Sequence, residues 1–350
     1  MKKLAISLCL WLACSTLVLS QSVGTLAPST AKYGLKKLKK APKKVYISTF
    51  NINYEVYKEA IDFKAGGRSF GGTYRSDATA RAAIGLSGIE AGQIQRVTNQ
   101  LYKEYVAKLE AAGLEIITPD EAAQTDVYNN WQKAQGPSIS ESGIPGVLTA
   151  VPEGFAYLYK KEGKDGKKKK GFMGGNFVAP ALSKQLDGAI IAEVDLYVMF
   201  TEDKEDLFKG NAAKVKVLTN MRLVGEYAVT AEKKKGLRLK GAQTIDRISS
   251  KVSFAQGKQG LGSLISYNGG VKKPLEVEGV IKKEKVTAYQ SQGSSTPTSF
   301  STYSFLDLAD RFSKTTAWIT VDGGKYASGL YNACKAAIDT HTDAFLQNVQ

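Results

Sequence analysis

Residues 189–200 read AIIAEVDLYVMF and residues 213–224 read AKVKVLTNMRLV, and this pair decides the class of fold. The first stretch is long and rich in β-branched and aromatic side chains, a composition suited to a pleated, packed surface. The second is its partner strand. The run EDKED at 202–206 between them is polar enough for a surface turn.

Toward the N-terminus, VYISTF at 45–50 is a compact β-rich run. Phe50, Ile52, Tyr54 and Val56 then alternate with Asn51, Asn53 and Glu55, the period of a strand that enters a core and leaves it half exposed. Residues 64–76 (KAGGRSFGGTYRS) form a glycine-rich loop. Ile94, Val97, Leu101, Tyr105 and Leu109 fall three and four apart and predict a helix over 90–112, with Gly113 at its left-handed C-cap. Leu114 to Ile117 is a short strand expected to pair in parallel with 45–56. Thr118-Pro119-Asp120-Glu121 is a capping box opening a helix that reaches 131–135.

Toward the C-terminus, strands are expected at 147–151, 155–159, 252–255, 275–289 and 317–321, with a short helix at 181–186. A turn at 164–167 joins 155–159 to 170–173 as a hairpin. The last helix, 325–347, carries Tyr326, Leu330, Ala333, Ala337, His341 and Phe345 along one side. The expected class is α/β to α+β, a mixed sheet with a long helix near 90–112, a lysine-rich hairpin near 155–173 and a C-terminal helix. An α/β unit at 45–136 is followed by a β-rich unit at 137–350, or one continuous domain spans both. With 350 residues, 43% of them hydrophobic, the chain has the material for such a core and is neither collagen, disulfide scaffold nor mainly disordered.

Lys2 and Lys3, an apolar run at 4–19 and Ser20-Gln21 have the order of a secretory signal peptide, cleaved near Ser20. The run is short of the ~20 residues that span a bilayer; the alternative is an uncleaved anchor. Cleavage takes Cys9 and Cys14 and leaves Cys334 alone, so the exported chain has no internal disulfide. The destination is the periplasm, the cell surface or the medium.

The formal charge is +15, and its placement matters more than its size. Residues 32–44 hold seven lysines and no acid, and residues 160–170 hold seven lysines against Glu162 and Asp165. The rest of the chain after residue 20 is close to neutral. With eight arginines against forty lysines, sequence-specific nucleic-acid recognition is not expected. Residues 21–44 are read as a basic disordered linker. Lys36, Lys37, Lys39, Lys40, Lys43 and Lys44 there, with Lys167, Lys168, Lys169 and Lys170 at the hairpin tip, are the candidates for adhesion to an anionic surface, lipid or glycan. The alternative for both tracts is a solvated tail and a solvated tip.

Other constellations are weaker. Arg68 and Arg75 flank the 66–72 loop, which runs toward a helical segment near Ser76-Asp77 and so offers an anion site at a helix start; the glycines have neither P-loop nor dinucleotide spacing. His341 lies on the inner stripe of its helix and reads as a hydrogen-bonded structural histidine. The run at 202–206 lacks the loop glycine and ligand spacing of a calcium site. One cysteine and one histidine cannot complete a zinc site, and neither metal nor cofactor is expected. Glu193 and Asp195 share a strand face and are candidates for carboxylate-dependent hydrolysis of a polysaccharide. Their other reading, favoured here, is the exposed face of an antiparallel strand.

The succession of VYISTF, a long helix, GLEIITPDEA, AIIAEVDLYVMF and KVKVLTNMRLV resembles the envelope α/β modules of the curli-secretion-channel family and the N-terminal module of the Tol translocation protein. The likeness covers 45–135 and 189–226. It implies an envelope-located binding or assembly module and transfers no residue role; without a lipobox or a clear pair of membrane-spanning hairpins, pore formation is not implied. The expected function is therefore an exported, non-enzymatic protein that binds an envelope protein or an anionic surface, with polysaccharide hydrolysis as the alternative.

Overall fold

In the computed structural model the described residues are 22–68, 74–162, 168–169, 175–203, 212–233, 242–257, 265–291 and 316–349. The elements used below are β1 (Ala27–Tyr33), β2 (Lys44–Glu55), β3 (Tyr57–Lys64), β4 (Ala78–Ser87), α1 (Ala91–Ala111), α2 (Pro119–Ala123), β5 (Ser138–Glu141), β6 (Val147–Val151), α3 (Gly175–Gln185), β7 (Ile190–Asp203), β8 (Ala212–Leu223), β9 (Glu226–Glu232), β10 (Gln243–Ser249), β11 (Lys251–Gln256), β12 (Ile265–Lys273), β13 (Glu284–Ser291), β14 (Ala317–Thr320) and α4 (Gly323–Leu346).

The main sheet runs β1-β12-β11-β7-β2-β6-β5, and β8 pairs the outer half of β7 while carrying β13 and Leu275–Val277. β2 and β7 are parallel at the centre, and β2 also pairs in parallel with Glu115–Ile116, as expected for strands joined through a helix. β7 and β8 form the anticipated antiparallel pair. A three-stranded sheet, β14-β4-β3, lies against β8 and β13, and the β9–β10 hairpin lies beside β3. This is a mixed α+β fold closed by a C-terminal helix.

The period of two decides which core each side chain of β7 enters. Ile190, Ala192, Val194, Leu196, Val198 and Phe200 meet Phe50, Ile52 and Tyr54 of β2 under α1 and α4. α1 buries Ile94, Val97, Leu101, Tyr105 and Leu109, and Gly113 beyond it takes φ +80° to end the helix. Asp322 caps α4 by accepting the Lys325 N–H at 2.9 Å. Phe345 of α4 stacks on Phe254 of β11 at 3.9 Å between centroids, tying helix to sheet.

Several expectations are corrected. Residues 27–40 are not a disordered linker: β1 pairs with β12, and a 3-10 turn follows at Leu35–Lys40. Leu35 and Leu38, three apart, are buried in the main core, an anchor that the lysine count conceals. The Ser76-Asp77 segment leads into β4, not a helix, because Ala78, Ala80, Ile84 and Leu86 bury at period two. The helix opened by Thr118 ends at Ala123; a 3-10 turn follows, and Gln132–Gln135 is a strand pairing with Ala156–Tyr159. That pairing occupies the strand expected to join 170–173. The hairpin is instead closed by Lys161–Glu162 against Lys168–Lys169, while 163–167 and 170–173 lie outside the described residues. The expected 275–289 strand is two strands, split between Val277 and Glu284.

Candidate functional site

On the face of β7 turned away from α1 and α4, Ile191 enters a small core with Tyr46, Ala122, Tyr128 and Leu182. Further along, Tyr197 and Met199 join a third cluster with Val147, Val224, Val229 and Ile248. Glu193 and Asp195 lie between the two. They form the middle of a polar trough crossing four strands of the main sheet.

Its contacts run from strand to strand. Thr149 on β6 donates to Asn53 Oδ1 at 2.5 Å, and Asn53 Nδ2 donates to Asp195 Oδ1 at 2.7 Å and to the Leu196 carbonyl at 3.0 Å. Lys251, opposite Asp195 in register, places Nζ 2.6 Å from Glu193 Oε2. Ser48 and Ser253 donate to Glu193 at 3.4 and 3.5 Å. Asn53, Glu193 and Ser253 are buried, while Asp195, Thr149 and Lys251 are half-buried. The sequence favoured an exposed antiparallel face for Glu193 and Asp195. Instead, their strand lies inside the sheet, parallel to β2 on one side, and Glu193 is only 8% exposed.

Electrostatics follow from that burial. Loss of water disfavours the Lys251 ammonium, yet the carboxylates of Glu193 and Asp195 outweigh this and leave its pKa raised. Burial raises the phenol of Tyr197, and the nearby Asp195 adds to it. Burial pushes Tyr46 up to about 12, with the Tyr128 hydroxyl acting against the shift. Tyr128 is itself raised by burial, then by Tyr46 and by Glu193.

The lysines divide. Lys36, Lys37, Lys39 and Lys43 are exposed around the 3-10 turn, Lys44 is half-buried at the start of β2, and the Lys40 side chain lies outside the described residues. Lys43 also donates to the Val349 carbonyl, so the segment is tied to the chain beyond α4. Of the hairpin lysines, the backbones of Lys168 and Lys169 are strand, and Lys167 and Lys170 lie outside the described residues.

Arg75 is half-buried, and the Arg68 side chain lies outside the described residues. The Gly66 N–H at the neck of their loop already donates to Asp77 Oδ1 at 2.8 Å. With a strand in place of the expected helix, the helix start expected beside the loop is absent among the described residues.

His341 is 1% exposed. Its Nε2 donates to the Gly270 carbonyl at 2.9 Å, which leaves Nδ1 to accept from the Tyr267 hydroxyl at 2.9 Å. A Cβ on Gly269 would stand 2.3 Å from Nδ1, so only glycine admits the ring there. Burial holds the imidazole below its ordinary pKa and raises that of the Cys334 thiol.

One cluster had no counterpart among the sequence candidates. The buried Glu55 accepts the Phe200 and Thr201 N–H groups at 3.0 and 2.9 Å and the Thr201 hydroxyl at 2.9 Å. Arg222, also buried, donates to Asn220 Oδ1 at 2.8 Å and to the Thr201 carbonyl, and its guanidinium lies 5.3 Å from the Tyr227 ring centroid. Lys58 pairs with Asp203 at 2.7 Å. These groups hold the register shift between β7 and β8. Asn51, Asn53 and Glu55 do announce a polar face in sequence; that it is buried depends on β7 and β8.

Among the described residues no helix is long and apolar enough to cross a membrane, which says nothing of strands. No family model matches the chain, and comparison with curated proteins and with solved structures finds no match.

Proposed function

We propose that this is an exported, non-enzymatic envelope binding protein that settles on an anionic surface through the lysine-rich segment at 32–44. The observation that carries the reading is the seating of Leu35 and Leu38 in the core, which displays Lys36, Lys37 and Lys39 outward on a fixed turn. A fixed array loses less conformational entropy on contact than a mobile tail does. Each lysine near an anionic membrane contributes about 1 kcal/mol, screened beyond a Debye length of about 10 Å at 0.1 M salt.

The test is co-sedimentation of the full chain with phosphatidylglycerol vesicles and with neutral phosphatidylcholine vesicles, beside retention on a sulfated polysaccharide. Binding to the anionic probes at low salt, weakened in the triple variant Lys36→Gln/Lys37→Gln/Lys39→Gln, supports the reading, and the two probes separate lipid from glycan. Equal binding by parent and variant, or none to either probe, ends it. Hydrolysis by Glu193 and Asp195 has less support, since both oxygens of Glu193 are engaged by Lys251, Ser48 and Ser253.

A further inference from the structure

We propose that the polar trough is a saccharide site, built from Thr149, Asn53, Asp195, Lys251, Glu193 and Ser253, that takes a neutral glycan chain lying across the strands. This uses none of the lysines of the 3-10 turn and stands or falls apart from them.

Three observations converge. The first is the mixture of groups. Carboxylate, amide, ammonium and hydroxyl alternate over four neighbouring strands and already orient one another by hydrogen bonds of 2.5 to 3.5 Å. Neighbouring sugar hydroxyls, each both donor and acceptor, match such a row. Between the two apolar clusters the floor carries Glu193 and Asp195 of β7, two residues and about 7 Å apart at ~3.3 Å per residue.

The second is charge. Two carboxylates, Glu193 and Asp195, line the trough, with the Lys251 ammonium 2.6 Å from Glu193 Oε2, so an anionic ligand would meet carboxylate oxygens there. Phosphate and uronate groups are disfavoured there, whereas uncharged hydroxyls are not.

The third is the walls. Tyr128 and the half-buried Trp131 border one side, 5.0 Å apart, and the half-buried Tyr197 and Tyr227 border the other. Ring faces and edges of this kind complement the C–H surface of a pyranose. In the same wall, the hydroxyl of Tyr46, a residue 1% exposed, has no hydrogen-bond partner among the described residues. Tyr128 is the neighbour that bears on this hydroxyl, and Tyr128 in turn feels the charge of Glu193. A buried donor left open beside a polar floor is costly unless a ligand or water completes it.

The experiment is calorimetric titration of the full chain with cellohexaose and with chitohexaose, beside a lysine decapeptide as control. Saturable binding of either oligosaccharide is expected, weakened about tenfold or more by Asp195→Asn, which removes a charge-assisted acceptor without removing volume. Trp131→Ala, on the wall, should weaken it also, and circular dichroism establishes that each variant is folded. The lysine-turn triple variant should bind the sugar as the parent does. The proposal is overturned if neither oligosaccharide binds, if folded Asp195→Asn binds as tightly as the parent, or if the decapeptide alone binds.

Discussion

Glu55 and Thr201 are joined three ways: both oxygens of the Glu55 carboxylate accept the Thr201 hydroxyl at 2.9 Å, and one also takes the Thr201 N–H at 2.9 Å. This contact ties β2 to β7 where the pairing of β7 with β8 shifts register, and it places a carboxylate in the middle of the fold.

Burial raises the Glu55 pKa above 4.5, against Lys58, Thr201 and Arg222, which lower it. The folded state therefore holds this proton more tightly than the unfolded chain. The linked stability is fully present below about pH 4.5 and is lost as pH rises through the folded-state value. Glu55→Ala should abolish that slope. It should also cost about 1–3 kcal/mol by leaving the Phe200 and Thr201 N–H groups and the Thr201 hydroxyl without their buried acceptor. Urea unfolding of parent and variant across pH 4–8 measures both effects; parallel curves would refute the pH assignment.

His341 is the one histidine of the chain, so its proton resonances need no assignment. Burial depresses its pKa below 6.5, and the stability linked to it is present above about pH 6.5 and lost as pH falls through the folded value. An NMR titration should show the C2 proton titrating below 6.5. A midpoint at or above that value contradicts the packed, neutral ring.

Phe345→Ala removes a ring stacked flat on Phe254, 3.9 Å away with 4° between planes. The expected loss is about 3–5 kcal/mol, since the surrounding helix and sheet cannot collapse fully into the space. Equilibrium denaturation reads it directly, and a loss below 1 kcal/mol would show that α4 is not a principal clamp on the sheet.

Leu38→Ser unseats the 3-10 turn by placing a hydroxyl where Leu38 is 1% exposed. The cost should be about 2–5 kcal/mol. Hydrogen exchange should increase across residues 35–41 before it increases in α1. Uniform exchange across both would show that the turn is not a local anchoring unit.

Much of the scaffold was legible. α1 and α4 carry unbroken apolar stripes, and β7 and β8 are long enough to announce themselves by composition. The parallel pairing of Lys44–Val45 with Glu115–Ile116 follows from a strand–helix–strand order. β3 and β4 were not legible: their small and charged residues, YKEAIDFK and ATARAAIGLS, carry little apolar mass and become strands because β8, β13 and β14 lie against them. The 3-10 turn was hidden for a related reason, two leucines outnumbered by lysines.

At the site, Glu193 and Asp195 were visible as carboxylates sharing one strand face. Their partners were not, because Asn53, Thr149 and Lys251 lie on three other strands and reach them through sheet register alone.

The sequence thus determined which segments are helices and long strands, where the positive charge lies, and that the chain carries a single imidazole. Tertiary structure alone decided that Glu55 and Arg222 are buried, that the first lysines ride on an anchored turn, and that two apolar lobes enclose a polar trough. Periodicity is a local property, written in neighbours a few residues apart, whereas burial and register depend on which distant strand lies alongside.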